Sequence, residues 1–220
     1  MKKVLLALLI VTMVVGGAIG QAKVYKVGVS MPSATHGWMG NANWWAQRAE
    51  KDWEARDKAV QIELKFSGTV NQQVADIEDL LVKKVDALVV FPHDTSVTGV
   101  VEKAFNAGVY VVVLDRGVSK EGIYDIYITN DDEAYTRKGM EWLAKQMGFK
   151  GNLLLITGIP SPIDTIRTDT IKEVVKKYPN IKLLDVQPGD WNRQKSLTVM
   201  ENYLQKYKQI DAVYTADDDM

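Results

Sequence analysis

The residues best suited to chemistry in this chain are polar and aromatic side chains that directly follow short apolar segments. Asp115 and Arg116 follow one such segment, and Asn130 follows the next. In a parallel sheet, the carboxyl ends of the strands meet at one edge, where ligands bind. A carboxylate beside a guanidinium can bind neighbouring hydroxyl groups, and charged hydrogen bonds of this kind are the stronger ones. The pair therefore indicates a site for a ligand rich in hydroxyl groups.

The ends of other predicted strands carry the same kinds of side chain. The remaining candidates are Thr35, His36, Trp38, Arg167, Trp191 and Asp217. Aromatic faces cover the apolar C–H patches of a sugar ring, and a mostly apolar pocket with a few placed polar groups is the general form of a ligand site. Two tryptophans and a histidine favour a pyranose over a smaller furanose.

Several polar or aromatic residues also have purely structural interpretations. Asp131 and Asp132 are candidates either for the ligand site or for the N-cap of the following helix, and both readings stay open. His36 is either a ligand residue or a solvated loop residue. Three tryptophans at helical spacing are predicted to lie in the core: Trp44, Trp45 and Trp53.

Composition excludes several classes of function. The 27 basic and 28 acidic residues give a net charge of −1, so the chain has no excess of positive charge for nucleic acid. The absence of cysteine excludes disulfides and thiolate sites. His36 and His93 are far apart in sequence, so we expect no metal site, although the aspartates at 217–219 are hard-cation ligands. Dinucleotide, phosphate-loop and nucleophile-elbow motifs are missing, which predicts neither a cofactor nor an enzyme.

The first twenty residues are typical of a secretory signal peptide. Lys2 and Lys3 precede an apolar run at 4–15, and small residues lead to Gly20. The run is shorter than the roughly 20 residues that a membrane span needs. We expect cleavage near Gly20 and a periplasmic or extracytoplasmic mature protein, against the alternatives of an uncleaved anchor or a buried strand.

Apolar strands alternate with amphipathic helices along the rest of the chain. This order predicts an α/β fold whose parallel sheets are covered by helices on both faces. One run of strand–helix units ends near residues 129–131, where a second run begins. We therefore predict two doubly wound lobes, at 21–130 with five strands and at 131–220 with three, the second lobe being incomplete.

Three strand-end segments, at 113–116, 187–191 and 212–220, carry a resemblance to a known family. Their sequences are VLDR, QPGDW and AVYTADDDM. In this order they resemble the periplasmic sugar-binding proteins of the ribose/galactose type, which are type I periplasmic binding proteins and solute receptors of ABC importers. The resemblance covers about 23–220. It implies a non-catalytic receptor whose lobes close on a monosaccharide and dock on a membrane permease.

The resemblance also implies roles for single residues. Thr35 and Trp38 match the first loop, where an aromatic side chain stacks on the sugar. Asp115 and Arg116 match the pair that binds neighbouring hydroxyls, and Trp191 matches a second stacking aromatic on the other lobe.

The other implied roles rest on three further positions. Arg167 matches an arginine after the first strand of the second lobe, with a gap of one residue. Asp217 matches an asparagine or aspartate that bonds ring hydroxyls, and His36 resembles a His-Gly-Trp variant among relatives.

Members of this family continue well beyond the segment that ends this chain. The resemblance therefore implies a truncated receptor whose apolar faces are left uncovered. Such a chain is expected to bind weakly or not at all alone, unless a second polypeptide supplies the rest. The alternatives are the ligand-binding core of a repressor-type regulator, a secreted α/β enzyme, and a non-functional truncated remnant of the receptor.

Overall fold

The computed structural model of the chain describes residues 23–220. The predicted signal peptide lies outside the described residues. Among the helices of the described part, none combines the length and the hydropathy needed to cross a bilayer.

Strands and helices alternate along residues 23–220. The strands are β1 (Tyr25–Pro32), β2 (Val60–Ser67), β3 (Ala87–Val90), β4 (Tyr110–Leu114), β5 (Ile126–Ile128), β6 (Gly151–Thr157), β7 (Ile181–Pro188) and β8 (Ala212–Thr215). The helices are α1 (Gly37–Arg56), α2 (Val70–Val82), α3 (Thr98–Asn106), α4 (Asp132–Gln146), α5 (Pro162–Lys176) and α6 (Arg193–Lys206). A short 3-10 turn at Thr95–Val97 precedes α3.

The first sheet is parallel and has the strand order β2-β1-β3-β4-β5. Helices α2 and α3 cover one face, where Ile77, Leu80, Leu88 and Val101 are fully buried. Helix α1 lies on the opposite face and buries Met39 against the ends of the strands. Strands that lie between helices on both faces of a sheet are typically apolar throughout, as the run of β4 is.

The second sheet is also parallel and has the order β7-β6-β8. Helices α4 and α5 pack on one face and α6 on the other. The central strand β6 carries four consecutive buried side chains, from Leu153 to Ile156, as expected of a strand covered on both sides. The predicted α/β fold with two doubly wound parallel sheets, of five and three strands, is confirmed.

The prediction that Trp44, Trp45 and Trp53 form part of the core is wrong. These residues are 54%, 58% and 53% exposed. Helical spacing places side chains on a common face, but it does not specify what covers that face. In this chain α1 covers only part of its side of the first sheet.

An apolar groove, here called the α1 groove, lies between α1 and the uncovered part of the first sheet. Its volume is about 650 Å³, and its apolar walls include Val27, Val29, Ile62, Leu64, Trp45 and Trp53. The groove extends to Asp115 and Asn130 at the carboxyl ends of the strands. It is therefore continuous with the edge at which a parallel sheet binds ligands.

Candidate functional site

The carboxyl ends of the two sheets face each other, and side chains from both sheets meet between them. The Gly37 N–H donates to Asp219 Oδ2 over 2.5 Å, and His36 Nδ1 lies 3.9 Å from Asp217 Oδ2. The Arg116 guanidinium stacks 4.8 Å from the centre of the Trp191 ring. The structure thus brings four of the predicted site residues, from loops far apart in sequence, into one interlobe site.

Arg116 is the most deeply buried charged member of this site. Its side chain lies between the rings of Phe91, 5.3 Å away, and Trp191, an arrangement that favours a cation. The residue is only 3% exposed, and burial lowers the pKa of its guanidinium to about 10, so it stays charged at neutral pH. Nη1 donates to the His93 carbonyl over 2.6 Å. Among the hydrogen bonds of residues 23–220 this is its only one, which leaves donors for a ligand.

Asp115 occupies a strained turn at the end of β4. Its φ of +59° is in the left-handed region, which a non-glycine residue rarely adopts. Its carbonyl accepts a 2.6 Å hydrogen bond from the Tyr127 hydroxyl, which helps to hold the turn. Burial raises the pKa of the Asp115 carboxyl, and the nearby charges of Arg116 and Arg167 oppose that rise. Asp190 and Trp191 have positive φ values too, and such strain concentrates at ligand sites.

Trp191 owes its position to a glycine that sequence reasoning did not single out. The indole is only 6% exposed, and it lies against Gly158, the residue after β6. A Cβ atom on Gly158 would fall 2.2 Å from the ring. The indole therefore occupies the space of the missing side chain, and a glycine after an apolar strand is the only signal in the sequence.

Arg167 is held by an ion pair with one of the two neighbouring aspartates, Asp132. Its guanidinium lies 2.7 Å from Asp132 Oδ1 and donates to the Ala216 carbonyl over 3.1 Å. Asp132 is 4% exposed, so this is a buried pair. Asp131 caps α4, as one of the two readings predicted, and its carboxylate accepts from the Ala134 N–H over 2.9 Å.

His36 is buried rather than solvated. Its side chain is 5% exposed, and neither ring nitrogen has a hydrogen-bond partner within the described residues. Burial lowers the pKa of the imidazole, and the nearby Arg116 charge acts in the same direction. The ring is therefore neutral at neutral pH and free to accept or donate a hydrogen bond.

Three of the predicted site residues lie away from the Arg116–Trp191 contact. Trp38 is 52% exposed and, like Asn130, lines the α1 groove near Asp115. Thr35 is exposed in the loop before α1. Their assignment to the ligand site stays a prediction.

Gln73 holds the backbone at Phe91 and His93, next to Arg116, and it was not among the predicted site residues. The amide is fully buried; Nε2 donates to the Phe91 carbonyl over 2.8 Å, and Oε1 accepts from the His93 N–H over 2.7 Å.

We expect Gln73→Leu to lower the free energy of unfolding by about 2 kcal/mol, because it leaves buried backbone groups unpaired. Urea unfolding measures the change. The exposed Gln72→Leu is the matched control and should stay within about 0.5 kcal/mol of wild type; equal effects would contradict the supporting role.

The free energy of unfolding should decrease at acidic pH because of the two histidines. Burial lowers the pKa values of His36 and His93 from the usual 6.5. Below that pH the unfolded chain binds protons that the folded chain does not, so the free energy of unfolding decreases as pH falls towards the folded pKa values. Urea unfolding at pH 7 and pH 5.5 should show a smaller loss for the His36→Gln, His93→Gln double variant. An equal loss in both proteins would count against buried neutral histidines.

Comparison with known proteins identifies the family of this chain. A family profile described as a periplasmic binding protein domain matches residues 27–220. The ribose import binding protein of Bacillus subtilis is 31% identical over 156 residues, which are 68% of this chain and 49% of that protein. The D-allose-binding periplasmic protein of Escherichia coli is 29% identical over 179 residues, 76% of this chain and 58% of that protein. The chain thus spans about half the length of these curated relatives.

A solved structure has a similar fold. The fructose-binding periplasmic domain of a hybrid two-component system is 25% identical, with a TM-score of 0.79. The match covers 88% of this chain and 64% of the other. The overlap therefore extends over most of this chain.

Proposed function

The chain belongs to the periplasmic binding protein domain family, and we propose that it is a receptor that binds a monosaccharide between two lobes, residues 21–130 and 131–220. The observation that carries this proposal is the contact of buried Arg116, from the first sheet, with Trp191, from the second. The curated relatives are named as ribose and allose binding proteins, which supports a non-catalytic role for this chain. Delivery of the sugar to the permease of an ABC importer is part of the proposal.

The chemistry of the interlobe site suits a polyhydroxylated ring. Arg116 offers charged donors and Asp115 offers acceptors, so the two can bind adjacent hydroxyls. Trp191 presents an aromatic face for the C–H groups of the ring, and a pyranose matches its size. In this proposal, four further residues contact the sugar as the lobes close: Thr35, His36, Trp38 and Asn130.

Arg167 and Asp217 contribute from the second lobe. Asp132 fixes the guanidinium of Arg167, so that it presents its remaining donors without losing much side-chain freedom on binding. Asp217 lies opposite His36, where its carboxylate can accept a hydrogen bond from a ring hydroxyl. Ligand contacts on both lobes are what make a closed form more stable with sugar than without it.

Further polypeptide completes the receptor in this proposal. A parallel sheet is normally covered on both faces, yet the α1 groove leaves apolar side chains of β1 and β2 exposed on one face. We expect a second polypeptide segment with an apolar face to cover the groove. Because the groove reaches Asp115 and Asn130, covering it should also strengthen sugar binding.

An extracytoplasmic location follows from the same proposal. We expect the signal peptide to be cleaved near Gly20, leaving a mature chain in the periplasm or outside the cell. Mass spectrometry of the chain from a periplasmic extract would measure the cleavage site. If the chain is found only in the cytoplasm, with its leader intact, the proposed location is wrong.

Thermal unfolding with a panel of sugars tests the proposed function. The panel takes its members from the compounds named in the relatives, namely ribose, allose, xylitol, apiose and fructose, and adds glucose and xylose. A sugar at about 100 times its Kd stabilises the folded chain by about 2.7 kcal/mol. We expect one member to raise the Tm of wild type but not that of Asp115→Asn. A cooperative transition that no sugar shifts would overturn the proposal.

A further inference from the structure

A second constellation shares His36 and Asp217 with the proposed sugar site, on loops at the facing ends of the two sheets. His36 precedes α1, whereas Asp217 and Asp219 follow β8. One ligand atom from each of these three side chains lies within 4.8 Å of the others. The sequence predicted no metal site because the two histidines are far apart, but here two aspartates from the other sheet complete the set.

The imidazole of His36 is the independent sign that something binds there. It is 95% buried by side-chain area, and both nitrogens lack partners within the described residues. A buried polar group without a partner is costly and rare, and it calls for an explanation. Its Nδ1 faces Asp217 Oδ2 at 3.9 Å, which is too long for a hydrogen bond. Two donors of one tetrahedral zinc ion lie about 3.4 Å apart, given metal–ligand bonds of about 2.1 Å, so a small shift would let both bind one cation.

We propose that His36, Asp217 and Asp219 bind a divalent transition-metal cation of the zinc type between the two lobes. One imidazole nitrogen and two carboxylate oxygens suit such a cation, whereas calcium and magnesium prefer oxygen ligands alone. Three protein ligands leave at least one coordination position for water or another oxygen ligand. Because the ligands come from both sheets, the cation would also hold the two lobes together.

Neighbouring groups fix the carboxylates in place. The Gly37 N–H donates to Asp219 Oδ2 over 2.5 Å, and Arg193 Nη2 donates to Asp219 Oδ1 over 2.8 Å. The Asp219 N–H donates to Asp217 Oδ1 over 2.7 Å, which leaves Asp217 Oδ2 facing the histidine. Second-sphere hydrogen bonds of this kind orient metal ligands and tune their affinity.

The positive charges around the cluster leave room for a cation. The nearby positive groups are Arg116, which is buried, and Arg193, whose side chain is 77% exposed. The exposed Arg193 can move away from the carboxylate as the cation binds.

Nuclear magnetic resonance of the wild-type chain tests the cation site without any substitution. The chain has only two histidines, so 15N-histidine labelling gives one set of ring signals from His36 and one from His93. We expect one equivalent of Zn²⁺, added to the chelator-treated 220-residue chain, to shift the ring nitrogens of His36 and to leave those of His93 in place. Mg²⁺ at the same concentration should shift neither. A His36 signal that Zn²⁺ does not move would overturn the proposal.

Calorimetry with zinc then identifies the ligands. His36→Gln and Asp217→Asn should each weaken Zn²⁺ binding by about 10-fold or more. Asp218→Asn is the matched control, because Asp218 is exposed and lies outside the cluster. The affinity of this variant for Zn²⁺ should equal that of wild type. Equal weakening by Asp218→Asn would refute the assignment. The sugar panel is run in chelator, so a chain that binds sugar but not zinc loses only the cation proposal.

Discussion

Substitution of Arg116 by methionine is expected to weaken sugar binding by about 100-fold. A hydrogen bond to a charged group contributes about 1.5–3 kcal/mol, and each 1.4 kcal/mol is a factor of ten in affinity, so two such bonds account for the loss. Methionine keeps an unbranched, largely apolar side chain between Phe91 and Trp191, which limits the change in packing. Isothermal titration calorimetry with the sugar that raises the Tm measures the effect.

The control for this substitution is Arg56→Met. Arg56 is exposed at the end of α1, so its loss should leave sugar affinity unchanged. Urea unfolding of both variants separates lost binding from lost folding. An Arg116→Met chain that binds the sugar within about threefold of wild type would remove Arg116 from the ligand site.

Substitution of Gly158 by alanine should both destabilise the chain and impair sugar binding. The added methyl group would fall 2.2 Å from the Trp191 indole, so the ring must leave its place at the end of β6. Overpacking of this kind costs about 1–3 kcal/mol. We expect urea unfolding to show that loss and calorimetry to show weaker sugar binding, because the aromatic face no longer meets Arg116.

Gly99→Ala is the matched control for Gly158→Ala. Gly99 lies in the first turn of α3, and a Cβ atom there would meet no heavy atom within 4 Å. Alanine favours the helix over glycine, so the free energy of unfolding should stay the same or rise by up to about 1 kcal/mol. A Gly158→Ala chain as stable as wild type, with unchanged affinity, would mean that the indole position does not matter.

The fold was predictable from the sequence because its signals are local. Apolar runs such as that of β6 need cover on both faces, and the alternation of strands and helices favours parallel pairing. The same rule identified the strand ends as the ligand edge. Asp115, Arg116, Trp191 and Asp217 could therefore be selected without knowledge of their distances.

The supporting contacts were not predictable because the residues that make them are distant in sequence. Gln73 bonds backbone groups of a loop 18 and 20 residues away, and Arg167 pairs with Asp132 across 35 residues. No periodic pattern encodes such contacts. The prediction that the tryptophans of α1 lie in the core was wrong for a related reason. Helical spacing indicates that side chains share a face, but not whether another element covers that face.

A crystal structure of the chain with the sugar that raises its Tm shows where that sugar binds. We expect the sugar between the two sheets, with its hydroxyls on Asp115 and Arg116 and its ring against Trp191. A sugar bound in the α1 groove alone, or on an outer face of either sheet, would contradict this expectation.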